Sequence, residues 1–123
     1  MKQEEIYVNN SPGELFNLGT PILHSYNGIV RQDEIERIDE SNYSEPYRLV
    51  EYGWVHKSVI IPDFVKLLTV AESVIFYSEI FGKMIITSQE SDEYPIIAKL
   101  EDGDVFELTR DFKYFKDSKS SIT

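Results

Sequence analysis

His24 and His56 are the only imidazoles in the chain, and each falls in a stretch that reads as a strand, flanked by apolar or aromatic residues. A facing pair of strand histidines would bind a metal or move a proton. Neither has a carboxylate at a ligand spacing, and no HxH or HxxxH occurs, so packing is the expectation for both. Acid–base work by carboxylates needs one in an apolar setting that raises its pKa while a neighbour stays ionised. Glu51, Glu72, Glu79 and Glu107 are set among apolar residues, and the pattern predicts that they are the solvent-facing members of amphipathic elements. Nucleophile motifs are missing, since there is no Gly-x-Ser-x-Gly and no cysteine. The six glycines, at 13, 19, 28, 53, 82 and 103, lie singly, so no glycine-rich phosphate loop is present. Asp102-Gly103-Asp104 lacks the twelve-residue ligand register of a calcium loop and reads as a hairpin tip. These residues predict no catalytic group, no metal and no cofactor.

The acids are distributed more tellingly. Asp33, Glu34, Glu36, Asp39, Glu40 and Glu45 lie close together, opposed only by Arg31 and Arg37, with Tyr43 and Tyr47 beside them. Glu90, Asp92 and Glu93 form a second cluster, which ends at Tyr94. Rigid aromatics anchor interfaces while charges set orientation and association rate. Acids next to tyrosine therefore suit a binder of a cationic site, and the predicted contact set is Asp33, Glu34, Glu36, Asp39, Glu40, Tyr43, Glu45, Glu90, Asp92, Glu93 and Tyr94.

The bulk charge agrees. Twenty-two acids against twelve bases give −10, which repels phosphates and anionic head groups and argues against nucleic acid and membrane as partners. The one basic, aromatic run is residues 110–119, RDFKYFKDSK; its threefold spacing reads as one face of a short terminal helix. With 123 residues, 41% of them hydrophobic, the chain can build a core without disulfides or thiolate metal sites. Residues 1–10 carry no apolar run, which predicts no leader and a cytoplasmic location.

The elements that must position these residues are short. Strands are expected over residues 5–8 and 21–26, the latter turning at Asn27-Gly28 into residues 29–31. Ser11-Pro12-Gly13-Glu14 reads as the start of a one- or two-turn helix stopped at Gly19. Ile35 and Ile38, three apart in DEIERIDE, suggest a short helix over residues 33–40. Two strands follow, one over residues 47–56 with a bend or bulge near Gly53 and one over residues 58–61. Pro62-Asp63 would open the main helix, with Phe64, Leu67, Leu68 and Ala71 at i, i+3, i+4 and i+7. Strands at 74–81, 84–87, 96–100 and 105–108 would form a meander, the last two flanking a turn over residues 101–104. Asp111 would cap a final helical turn over residues 112–115, with residues 116–123 frayed.

This reading gives a single α+β domain spanning residues 1–123, with a mostly antiparallel sheet and one main amphipathic helix. The functional expectation is a small acidic binding or inhibitory protein, an immunity or anti-defence factor that occupies the basic cleft of a protein partner such as a nuclease. The alternative is a phage or mobile-element assembly protein that acts by oligomerising through exposed strand edges, with Trp54 at the interface. A small enzyme with a dispersed site ranks below both.

Overall fold

The computed structural model of the chain describes residues 2–117. In chain order the strands are β1 (Gln3–Tyr7), β2 (Pro21–Tyr26), β3 (Ile29–Ile38), β4 (Tyr47–Leu49) and β5 (Gly53–Val55). A 3-10 turn, Lys57–Val59, precedes β6 (Ile60–Pro62), and a single helix, α1 (Phe64–Leu67), follows it. The remaining strands are β7 (Ala71–Ser78), β8 (Gly82–Ser88), β9 (Ile96–Leu100), β10 (Val105–Leu108) and β11 (Phe115–Asp117). The chain divides into two compact units, Phe16–Asp63 and Met1–Leu15 with Phe64–Thr123. Among the described residues no helix is long and apolar enough to cross a membrane.

The central unit, Phe16–Asp63, is an antiparallel sheet in the order β5-β4-β3-β2-β6. The β2–β3 hairpin closes with Tyr26 opposite Ile29, and Asn27 and Gly28 take φ of 51° and 77°. Positive φ at both central positions is what a type I′ turn demands, and Asn-Gly supplies it at least cost. Alternation then puts Ile22, His24, Arg31, Asp33 and Ile35 on one face. Val50, Glu51 and Tyr52 connect β4 to β5, where the sequence suggested a bend.

The segment read as a helix over residues 33–40 is instead part of β3. Ile35 pairs with Leu49 and Ile38 with Tyr47, and the register slips between Ile35 and Arg37. An odd spacing in a regular strand would send the two isoleucines to opposite faces. The extra residue of this bulge brings them back to one face, so a spacing of three carries a strand.

The other unit holds a six-stranded sheet in the order β1-β7-β8-β9-β10-β11, parallel between β1 and β7 and antiparallel elsewhere. Phe76, Met84, Ile86, Ala98 and Leu108 cover one face, and the ring of Phe64 packs there against Phe76 and Phe112, with centroids 5.5 and 5.1 Å away.

The α+β class with one main amphipathic helix is overturned: 49% of the described residues are strand, 6% are helical, and no helix reaches seven residues. Phe64, Leu67, Leu68 and Ala71 are all buried, as their spacing implies. Yet α1 makes one turn, with Leu68 N–H donating to the Phe64 carbonyl at 2.9 Å. Thr69 and Val70 then donate to carbonyls three residues back, and the Thr69 hydroxyl also takes the Lys66 carbonyl at 2.6 Å. A hydroxyl competing for helix carbonyls, with the β-branched Val70 next to it, ends the helix early, and Ala71 is already a strand residue opposite Gln3.

Two smaller helices are also absent. Pro12 and Gly13 form a β-turn in which Glu14 N–H donates to the Ser11 carbonyl at 3.2 Å and Gly13 takes φ of 82°. Proline followed by a positive-φ glycine is the sequence of a type II turn; the Glu14 carboxylate does reach back, to the Asn10 N–H at 2.9 Å. At the other end, residues 109–114 form a loop with Phe112 at φ of 65°. Lys116 and Asp117, expected to fray, belong to β11; residues 118–123 lie outside the described residues.

Candidate functional site

The first acidic cluster lies in the central unit, and its members take different roles. Asp33 is half-buried; its Oδ1 accepts the N–H groups of Glu34 at 2.8 Å and Glu51 at 3.1 Å. Glu36 pairs with Arg48 at 3.4 Å, both side chains 42% exposed. Such a pair contributes under about 1 kcal/mol. Asp39 folds the loop: its Oδ1 accepts from the Ser41 N–H at 3.0 Å and the Ser41 hydroxyl at 2.6 Å. Asn42 Oδ1 receives the N–H groups of Ser44 at 3.1 Å and Glu45 at 3.0 Å, and the base closes where Asp39 N–H donates to the Pro46 carbonyl at 2.8 Å. These bonds present Tyr43 with 90% of its surface exposed, between the exposed Glu40 and Glu45. Glu34 is exposed on β3.

The second cluster lies in the other unit, between β8 and β9. Gln89 closes that loop: its N–H donates to the Pro95 carbonyl at 3.0 Å, and its side-chain amide donates to the Tyr94 carbonyl at 2.6 Å and to Glu107 Oε1 at 2.8 Å. Glu90, Asp92 and Glu93 are exposed, whereas Tyr94 is half-buried and its N–H donates to the Ser91 hydroxyl at 3.1 Å. Glu107, expected to face solvent, is half-buried between Gln89 and Lys116, whose Nζ lies 4.0 Å away. The basic run of residues 110–119 forms no helical face within its described part.

The histidines differ. His56 caps the 3-10 turn, its Nδ1 accepting from Ser58 N–H at 3.0 Å. His24 instead floors a cleft of about 310 Å³ lined by Tyr26, Asn27, Ile29, Arg31 and Tyr52. The imidazole is 4% exposed. Its centroid is 4.4 Å from the ring of Tyr52 and 6.3 Å from that of Tyr26, and the two phenol rings are 5.6 Å apart.

Local folding explains the assembly. The type I′ turn fixes His24 opposite Arg31 and Tyr26 opposite Ile29. Tyr52 arrives from the β4–β5 loop, which is tied to β3 by Val50 N–H donating to the Glu34 carbonyl at 3.0 Å and by the Glu51–Asp33 bond. The sequence had marked Asp33 as a contact residue; here it positions a cleft wall. Tyr26, Arg31 and Tyr52 were not singled out as site residues, although the Asn27-Gly28 turn alone pairs His24 with Arg31.

Burial lowers the His24 pKa; Asp33 opposes the shift and Arg31 adds to it. The phenol of Tyr52 is raised, first by burial and then by Tyr26. His24 is therefore neutral near pH 7. An unfolded histidine with a pKa near 6.5 takes up its proton before the folded one does, so stability is lost as pH falls from about 6.5 toward the lowered folded value. His24→Gln removes this contribution. Urea titrations across that interval show the wild type losing stability faster than the variant; parallel curves would contradict a buried neutral His24.

Among the described residues no group of three or more histidine, aspartate or glutamate side chains is placed to hold a metal ion. Comparison of the chain with protein-family models, with curated proteins and with solved structures finds no match in any of the three.

Proposed function

We propose that this is a binding protein whose acidic β3–β4 loop seats in a basic surface of a protein partner and blocks it. A nucleic-acid-binding partner fits best, because its own cleft must be cationic, and an immunity or anti-defence role follows from that choice. The observation that carries the reading is the 90% exposure of Tyr43 on a loop held by its own Asp39 and Asn42 side chains. A pre-shaped loop loses little entropy on binding, and tyrosine is among the residues that dominate interface energies. Glu40 and Glu45 beside it supply steering, which salt weakens.

Affinity capture from the source cell tests the reading. A basic protein is expected on the wild-type chain at about 50 mM salt and is lost at about 500 mM, where screening is short-ranged. Tyr43→Ala weakens that complex at least about tenfold, as loss of an interface anchor does, and Glu40→Gln with Glu45→Gln removes most of its salt dependence. Recovery of no basic protein, or equal recovery by the Tyr43→Ala variant, would overturn the proposal.

A further inference from the structure

We infer that the cleft formed by His24, Tyr26, Tyr52 and Arg31 is a binding site for a small planar aromatic monocarboxylate. The inference is independent of the acidic loop.

Shape comes first. Three rings are in mutual contact around the cavity. Tyr26, Tyr52 and Ile29 border it at 55%, 51% and 53% exposure. Grouped half-exposed large side chains around a concavity mark a ligand site more often than plain surface does. About 310 Å³ is at the small end of ligand pockets and accommodates one ring system with one acid group. The phenol faces provide stacking surfaces for a flat ring.

Charge then selects the ligand. Arg31 lines the cleft, and among the described residues no carboxylate oxygen lies within 4.0 Å of its guanidinium. An arginine left unpaired beside a cavity, in a chain with an excess of acids, offers two parallel N–H donors in the geometry a carboxylate accepts. The side-chain amide of Asn27 is a further donor in the lining. A cation is disfavoured by the same arginine. A doubly charged phosphate is disfavoured more than a monocarboxylate, because Arg31 is the one cationic group in the lining and Asp33, on the same face two residues along β3, repels each further negative charge.

The test is an amide chemical-shift titration of the full chain with four probes: benzoate, phenyl phosphate, benzamide and benzamidine. Benzoate is expected to saturate with Kd below about 1 mM, moving signals of residues 24–31 and 50–53. Benzamide and benzamidine should bind at least about tenfold more weakly, the difference a charge-assisted bidentate contact makes. Arg31→Gln, a change at an exposed position, keeps the wild-type spectrum outside the cleft and reduces benzoate to the benzamide level. Tyr52→Ala abolishes binding of all four. The inference is overturned if benzoate fails to saturate by about 10 mM, if benzamide or benzamidine binds as tightly, if phenyl phosphate binds more tightly, or if Arg31→Gln binds benzoate like the wild type.

Discussion

Replacing Phe64 with alanine lowers the unfolding free energy by about 3–5 kcal/mol, the range for a fully buried phenylalanine. Phe64 is 0% exposed and touches the rings of Phe76 and Phe112. Two further effects push toward the upper end. Isolated helices shorter than about 12 residues are marginal in water, so the one-turn α1 persists through the burial of Phe64, Leu67 and Leu68. Phe112 sits at φ of 65°, a conformation that costs an L-residue about 1–2 kcal/mol. Its ring contacts with Phe64 and Phe76 offset that strain, and alanine at 64 removes one of them. Native domains are stable by only about 5–15 kcal/mol, so the variant is expected to lose about a fifth of its stability or more. Urea denaturation followed by circular dichroism checks this: the midpoint falls while the slope stays constant. Phe64→Leu, which keeps most of the volume, costs less than about 1.5 kcal/mol. A Phe64→Ala loss below about 0.5 kcal/mol, the size of a surface change, would show that this aromatic cluster does not hold the face of the sheet.

The same cluster shows which parts of the fold were legible in the sequence. Burial was: Phe64, Leu67, Leu68 and Ala71 are inside, and so is Ile35. Element type was legible at two hairpin turns. Asn27-Gly28 fixed the β2–β3 hairpin, and the Asp-Gly tip closed β9 on β10, where Leu100 N–H donates to the Asp104 carbonyl at 2.8 Å. The helices expected over residues 33–40 and from Pro62 onward failed for a common reason. A spacing of three or four apolar residues also arises from a bulged strand, as in Ile35 and Ile38, or from one helical turn running into a strand, as in residues 64–71. Hydrophobic periodicity reports which side chains are buried, while competition from Thr69, Val70 and the β7 partner strands decides the backbone. The parallel pairing of β1 with β7, across more than sixty residues of chain, left no local mark at all.

Of the candidate sites, the exposed acids and Tyr43 were legible because loops between apolar strands are solvent-facing. The division of labour among the acids was not. Asp33 and Asp39 serve backbone N–H groups, and Glu36 serves Arg48; each of those roles depends on a register or loop closure that composition does not encode. The cleft was half-legible. His24, Tyr26, Ile29 and Arg31 follow from one two-residue turn and strand alternation, but Tyr52 comes from a second hairpin whose placement depends on the β3 bulge.

Asn9→Ala is expected to cost about 2–3 kcal/mol, the penalty for leaving buried backbone groups unpaired. Asn9 is 2% exposed and follows directly on Val8, whose N–H donates to the Ile75 carbonyl at 3.0 Å. There the side chain takes over from the backbone. Asn9 Oδ1 accepts the Tyr77 N–H at 2.9 Å, and Nδ2 donates to the Tyr77 carbonyl at 3.0 Å. One amide thus serves both backbone groups of Tyr77 and extends the parallel ladder past the end of β1. Alanine removes both bonds. Asn9→Asp separates this account from a simple loss of packing, because aspartate has the same shape. Near pH 7 its second oxygen would face the Tyr77 carbonyl, acceptor against acceptor, so the variant is destabilised. Protonation turns that oxygen into a donor and restores the pairing. The folded carboxyl pKa of the variant therefore lies above the unfolded value of about 3.9. Between the two values the folded state binds more protons, so stability rises relative to wild type as pH falls. Urea midpoints measured at pH 7 and near pH 4.5 should show the gap between Asn9→Asp and wild type narrowing, while the gap for Asn9→Ala stays constant. A pH-independent Asn9→Asp deficit would mean that the side chain fills space at the end of β1 without extending the ladder.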